Sequence, residues 1–311
     1  MADLAVPTQR SSPASVPRTR SGRRAGDLKL ALILIAPAIL GFGVFTVYPT
    51  IRGLYLSLTK YSLLAPPKWV GLDNYIRMFS DGVFWQSVWV TLYYVVLTVV
   101  FTVLFAVLTA VVLHRLTKST LVRGLIILPF LVSNVVAGMV WTWMLDPQAG
   151  IINHLITAFG LDHISFLGQP AWVVPTLAWI SVWKSMGYTA LLVFAGLQTI
   201  PGSVYEAGRL DGASERNMFF SITLPLLRPI MALVGVITIL SSFQVFDIVA
   251  VTTKGGPVNS SNVLQMYIYN LAFGQFDYGY ASAISVGMFV ILLAVTFIQL
   301  RVTRANQSDV G

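Results

Sequence analysis

Six stretches of about twenty almost uncharged residues punctuate this chain, and nothing else in it limits the fold as strongly. They lie near residues 30–48, 88–113, 121–145, 171–197, 230–251 and 281–300. A helix needs roughly 20 apolar residues to cross a bilayer. Within the hydrocarbon, the backbone must satisfy its own hydrogen bonds. The expectation is therefore an all-α, polytopic membrane protein with six transmembrane helices. Composition agrees: 56% of the 311 residues are hydrophobic and 10% charged, against about 25% charged in soluble domains. A soluble enzyme is excluded.

Charge sets the orientation. Six of the 20 Lys and Arg residues (Arg10, Arg18, Arg20, Arg23, Arg24 and Lys29) precede the first run. With the N-terminus inside, 14 basic residues fall on the inner side and five on the outer, with Lys184 within a span. Basic loops stay cytoplasmic, so both termini are expected in the cytoplasm of a prokaryotic cell, with the chain in its inner membrane. The net charge of +8 then needs no nucleic acid to explain it, and membrane lipid is the expected surround. Residues 1–29 read as a disordered basic tail, 30–300 as the transmembrane domain with an inner loop at 202–229, and 301–311 as a second cytoplasmic tail. Cysteine is absent and the three histidines, His114, His154 and His163, are scattered, which leaves no thiolate chemistry and no metal cluster.

Two outer loops show apolar residues at helical spacing. Leu72, Tyr75, Ile76 and Phe79 predict a short helix over 72–79, with Asp73 or Asn74 as its cap. Ile151, Ile152, Leu155, Ile156 and Phe159 predict another over 151–159.

Polar residues inside the spans are expensive, so each asks for a partner or a wet cavity. Ser181, Lys184, Ser185 and Tyr188 share a face of the fourth span; Lys184 suits either a structural pairing or contact with a solute. On the fifth span Thr238, Ser241, Gln244 and Asp247 advance by threes, a stripe that either lines a pathway or joins helices. Asn134, in the third span, is read as an interhelical hydrogen bond or a further pathway residue.

The inner loop between the fourth and fifth spans differs from the rest. Ser203 with Glu206 three residues later reads as a capping box opening a helix. Gly212 suits the left-handed residue that ends one, and Ser214 can cap a second helix carrying Met218, Phe219, Ile222 and Leu226. The expectation is a helix, a glycine turn and a second helix, with Pro229 marking entry to the fifth span.

Glu206-Ala207, Asp211-Gly212-Ala213, Phe219 and Leu224-Pro225 resemble the EAA loop of ATP-binding-cassette importer permeases. Gly71-Leu72-Asp73-Asn74-Tyr75, Trp183-Lys184, Leu197-Gln198-Thr199-Ile200-Pro201, Phe246-Asp247 and Gly255-Gly256-Pro257 narrow the resemblance to carbohydrate-uptake permeases of the maltose and glycerol-3-phosphate type. Gly208 departs from the alanine usual there. The resemblance implies a type I importer permease fold and ATPase coupling through Glu206, Ala207, Asp211, Gly212, Ala213, Leu224 and Pro225. Substrate-pathway residues are expected among Asn134, Lys184, Tyr188, Ser241, Gln244 and Asp247. Its implied partners are a second, non-identical permease, two ATPase subunits that hold the ATP and Mg, and an extracytoplasmic solute-binding protein. No cofactor is expected on this chain, which lacks a Gly-x-x-x-x-Gly-Lys-Ser/Thr phosphate loop, and no enzymatic activity of its own. The solute is expected to be a sugar or sugar-like molecule: an oligosaccharide, polyol or glycerophosphodiester. The rival reading, an ion-coupled secondary transporter, wants carboxylates near the bilayer midplane, and only Asp247 comes close.

Overall fold

The computed structural model describes residues 25–62, 65–116 and 119–305, which divide between two compact units, 1–52 and 53–311. In the first unit, α1 (Ala25–Phe42) carries Pro37 internally and runs through a π-helical turn at Gly43–Val47 into α2 (Tyr48–Ser57), which crosses the boundary. Helix thus begins inside the segment read as a disordered tail. Residues 1–24 of that segment, and 306–311 of the C-terminal one, lie outside the described residues.

The second unit opens with a departure from an all-helical chain. β1 (Thr59–Ser62) and β2 (Ala65–Trp69) pair antiparallel with an irregularity between Lys60 and Ser62. Pro66 and Pro67 forbid helix here, and a two-stranded edge tolerates them. Next comes α3 (Asp73–Ser80), the first amphipathic helix. Its N-cap is Leu72, without a side-chain cap bond. Asn74, expected as a capping candidate, instead donates to the carbonyls of Ser57 and Thr59, both at 2.9 Å, and Asp73 simply opens the helix.

α4 (Gly82–Leu116) is the long axis of the unit and packs most extensively on α8 (Pro170–Leu197). Its buried face includes Ser87, Thr91, Thr98, Thr102, Ala106 and Ala110, and α8 contributes Ala178, Gly187, Thr189 and Ala190. Small side chains let two backbones approach where lipid supplies no hydrophobic drive between helices. The stretch between them is not one straight span. α5 (Thr120–Leu131) and α6 (Asn134–Met144) meet at 90°, because Pro129 weakens the end of α5, and Val132 and Ser133 turn extended. Ser133 then caps α6 by accepting from the Val136 amide at 3.2 Å. α7 (Ile151–Ala158) is the second amphipathic helix, pinned by buried Asn153, which takes the Ile164 amide at 2.9 Å and donates to the Asp146 and Ile164 carbonyls.

After α8 come α9 (Gly202–Leu210), α10 (Glu215–Met218), a π-helical turn at Phe219–Thr223 and α11 (Leu224–Leu226). The fifth predicted span is also broken: α12 (Arg228–Phe243) stops at its C-cap Gln244, and α13 (Asp247–Thr252) restarts the helix. α14 (Leu264–Tyr269) leads to α15 (Tyr278–Ala305). Among the described residues five helices are long and apolar enough to cross a bilayer, and the bent α5–α6 pair brings the number to six if it counts as one crossing.

Beside the start of α4, Asp81 accepts from the hydroxyls of Tyr267 and Tyr280, the latter at 2.6 Å. Arg77 lies over the Tyr280 ring and pairs with Asp277 at 2.7 Å. These side chains tie α3, α4, α14 and α15 together. Burial pushes the Asp81 carboxyl up, but hydrogen bonds from both tyrosines and from the Val83 and Phe84 amides prevail and hold it below its ordinary value.

Candidate functional site

Every polar pathway residue read from the sequence faces one cavity of about 480 Å³. α8 supplies Ser181, Lys184, Ser185 and Tyr188; α12 supplies Thr238 and Ser241; Gln244 and Asp247 follow at the break; Asn134 enters from α6. The stripe by threes is real as a lining but not as one helix. The break after Phe243 sets Gln244 in the C-cap and Asp247 at the first residue of α13, where a carboxylate complements the helix dipole.

The charges are held apart. Asn134 donates to Asp247 at 2.9 Å, the interhelical bond expected of it, while still lining the cavity. Lys184 donates to the Phe130 carbonyl at 3.3 Å, close to the bend where that group is near the end of its helix, and its ammonium sits 5.2 Å from the Phe130 ring. Phe130 and Tyr188 stack at 4.4 Å with their planes 11° apart. The walls thus offer hydroxyls, one amide donor pair, two opposite charges and a flat aromatic surface. Tyr94, Thr98 and Phe130 also line the cavity and escaped the sequence reading, and Phe246, quoted there for the resemblance alone, lines it too. Tyr94 donates to Ser181 at 2.6 Å. Tyr94, Thr98 and Thr102 at intervals of four in an apolar run were the available signal.

At the far end of α4, the inner loop forms the expected helical hairpin. α9 is capped differently from the sequence reading: Pro201 is the N-cap, there is no side-chain cap bond, and Ser203 and Glu206 lie within the helix. Proline's fixed φ starts the helix two residues earlier than a serine cap at 203 would. The exit follows expectation. Gly212 has φ +76°, its amide donates to Arg209 at 3.1 Å, and the Ala213 amide donates to Gly208 at 2.9 Å. These two bonds complete a Schellman ending. Ser214 caps α10 through the Asn217 amide at 3.3 Å. Gly208 is buried, and a Cβ there would lie 3.1 Å from Ile222 Cδ1, so its missing side chain serves close approach within the hairpin. A second cavity of about 380 Å³ between α4 and this hairpin is lined by Arg115, Tyr205, Glu206, Arg209 and Glu215, among others. Of the other expected coupling residues, Leu224 and Pro225 form α11, while Ala207, Asp211 and Ala213 stay with α9 and its turn.

Apolar crossings around a polar cavity, with a rigid helical hairpin at one end of the longest helix, define a membrane permease. The chain belongs to the family described as binding-protein-dependent transport system inner membrane components, which it matches over residues 102–307. It is a permease subunit of an ATP-binding-cassette importer with the type I fold, and is not itself an enzyme. The chain is 34% identical over 294 residues to the sulfoquinovosyl glycerol transport system permease protein of Agrobacterium fabrum, covering 94% of this chain and 96% of that one. With the trehalose/maltose transport system permease protein of Thermococcus litoralis it shares 32% identity over 280 residues, 89% and 95% of the two chains. A solved bacterial alginate transporter, in complex with its alginate pentasaccharide-bound periplasmic protein, contains a chain similar at TM-score 0.81 and 25% identity, covering 91% of this chain and 98% of that one.

Proposed function

We propose that this subunit forms half of the translocation pathway for a sugar or sugar-like solute such as an oligosaccharide, polyol or glycerophosphodiester. The carrying observation is the cavity: hydroxyl and amide groups for hydrogen bonding beside the stacked Phe130–Tyr188 face, the pairing of surfaces that a polyhydroxylated ring presents. Lys184 and Asp247, unpaired with each other, add a donor and an acceptor of fixed sign. The names of the relatives, which cover sulfoquinovosyl glycerol and trehalose/maltose, support the class.

In this reading a second, non-identical permease closes the pathway and a solute-binding protein delivers substrate. Two ATPase subunits, which hold ATP and Mg, dock on the α9–α10 hairpin through Glu206, Ala207, Asp211, Gly212, Ala213, Leu224 and Pro225. The basic excess supports a cytoplasmic hairpin and cytoplasmic termini, and in this reading the chain lies in the inner membrane. The test is purification from native membranes followed by uptake in proteoliposomes of radiolabelled trehalose, maltose and glycerophosphodiesters. Co-purification of an ATPase and ATP-dependent uptake of one of these are expected. Gln244→Ala is expected to shift the preference among them while the complex stays assembled. An isolated chain that transports alone on an ion gradient would refute the reading.

A further inference from the structure

The helix that walls the cavity also reaches the hairpin. α4 is one uninterrupted helix of 35 residues, about 52 Å at 1.5 Å per residue. Tyr94 and Thr98 on it line the polar cavity. Arg115, in its last turn, holds Glu215 at 2.8 Å, and the other oxygen of that carboxylate lies 3.7 Å from Arg209. Glu215 opens α10 and Arg209 lies in the last turn of α9, so one carboxylate joins three elements.

The hairpin it joins is built to move as one body. Gly208 of α9 seats against Ile222 and Met218, the Tyr205 and Thr223 hydroxyls meet at 3.1 Å, and the Schellman ending fixes the turn. Its covalent ties to the cavity run through residues 198–201 into α8 and through Leu227 into α12. The wall supplied by α4, which packs along α8, has no direct covalent tie to it.

We propose that Arg115, Glu215 and Arg209 form a strap that passes movement of the hairpin to α4, so that this wall shifts together with α8 and α12. Arg115 and Glu215 act as positioning residues. The proposal rests on the reading of the hairpin as the ATPase dock. The side chains are 49–64% exposed, and exposed pairs of this kind are worth a factor of about 1.4 to 5, which sets the size of the expected effect.

The experiment uses the complete complex, with second permease, ATPase and solute-binding protein, in proteoliposomes. Ser241→Cys introduces the one thiol of this chain into the cavity, and its rate of reaction with a charged methanethiosulfonate reagent is read with and without MgATP and vanadate. The nucleotide is expected to change that rate. Arg115→Ala and Glu215→Gln are expected to shrink the change about 1.4- to 5-fold, with ATPase retention and basal hydrolysis intact, and Arg115→Lys to preserve it. An undiminished change in both variants overturns the strap while leaving the dock standing. Loss of the ATPase from Arg115→Ala, unrestored by Arg115→Lys, assigns the pair a purely structural role and also overturns it. No nucleotide-dependent change in the parent overturns the docking reading, and the strap with it.

Discussion

Single glycines mark where this chain has no room to vary. A Cβ on Gly187 would lie 2.0 Å from the Ile126 carbonyl oxygen, and that contact is backbone, so α5 must move off α8. Gly187→Ala is expected to destabilise by about 1–3 kcal/mol, as overpacking does, read as a lower melting temperature in detergent. Gly212 is the opposite case. Nothing lies within 4 Å of its would-be Cβ, yet φ is +76°, so Gly212→Val costs about 1–2 kcal/mol in backbone strain alone. The bundle is expected to melt as before, while pull-down of the ATPase weakens; unchanged pull-down would mean that the turn is an ordinary connector. Gly212 and Ser214 were legible because turn and cap chemistry are local. The Ser203–Glu206 box was not realised because Pro201, outside that four-residue pattern, sets where the helix starts.

Among the elements, the apolar runs announced themselves by length, but their interruptions did not. Val132-Ser133 and Val245-Phe246 are apolar or small enough to pass as helix; Pro129 weakens the end of α5, and the packing of α6 on α13 holds the turn that follows. A Cβ on Gly138 of α6 would meet Val251 of α13 at 2.5 Å. The cavity residues were legible as a polar face on α8 and a stripe on the fifth span. Tyr94 and Phe130 were not, since aromatic residues in an apolar run look like core. The Asp81 cluster, joining elements up to 199 residues apart, was beyond any local pattern. It carries a pH signature. Asp81 titrates below its ordinary 3.8, so its contribution is fully present above that value and fades as pH falls through it toward the folded value. The melting temperature is expected to fall as the pH drops below about 4. Asp81→Asn is expected to be less stable at pH 7 by on the order of 1 kcal/mol and flatter across that range. Equal pH dependence in both proteins would remove Asp81 as the source.

For the whole molecule, an orientation with the hairpin and both termini inside is the expectation drawn from the excess of basic residues on that side. Because native cysteine is absent, single introduced thiols report sidedness without background. Ser15→Cys and Ser214→Cys are expected to resist an impermeant maleimide on intact spheroplasts, and Ser80→Cys and Ser260→Cys to react. Labelling of Ser214→Cys from outside would invert the arrangement and remove the hairpin from the ATPase side.

The seam between α4 and α8 has a consequence for biosynthesis. The 53 residues at 117–169 separate the two helices, so at about 5–20 residues per second α4 is made roughly 3–11 s before its partner. In that interval its seam hydroxyls face lipid or the insertion machinery with no neighbour to bond. Thr91 already donates to the Ser87 carbonyl four residues back at 2.7 Å, a bond available to a lone helix. Later the same oxygen accepts from the Leu264 amide at 2.8 Å, made more than 140 residues after α4 is complete. The threonine side chain is thus tolerable to the nascent helix on its own terms and becomes a cross-link only when the last third of the chain arrives.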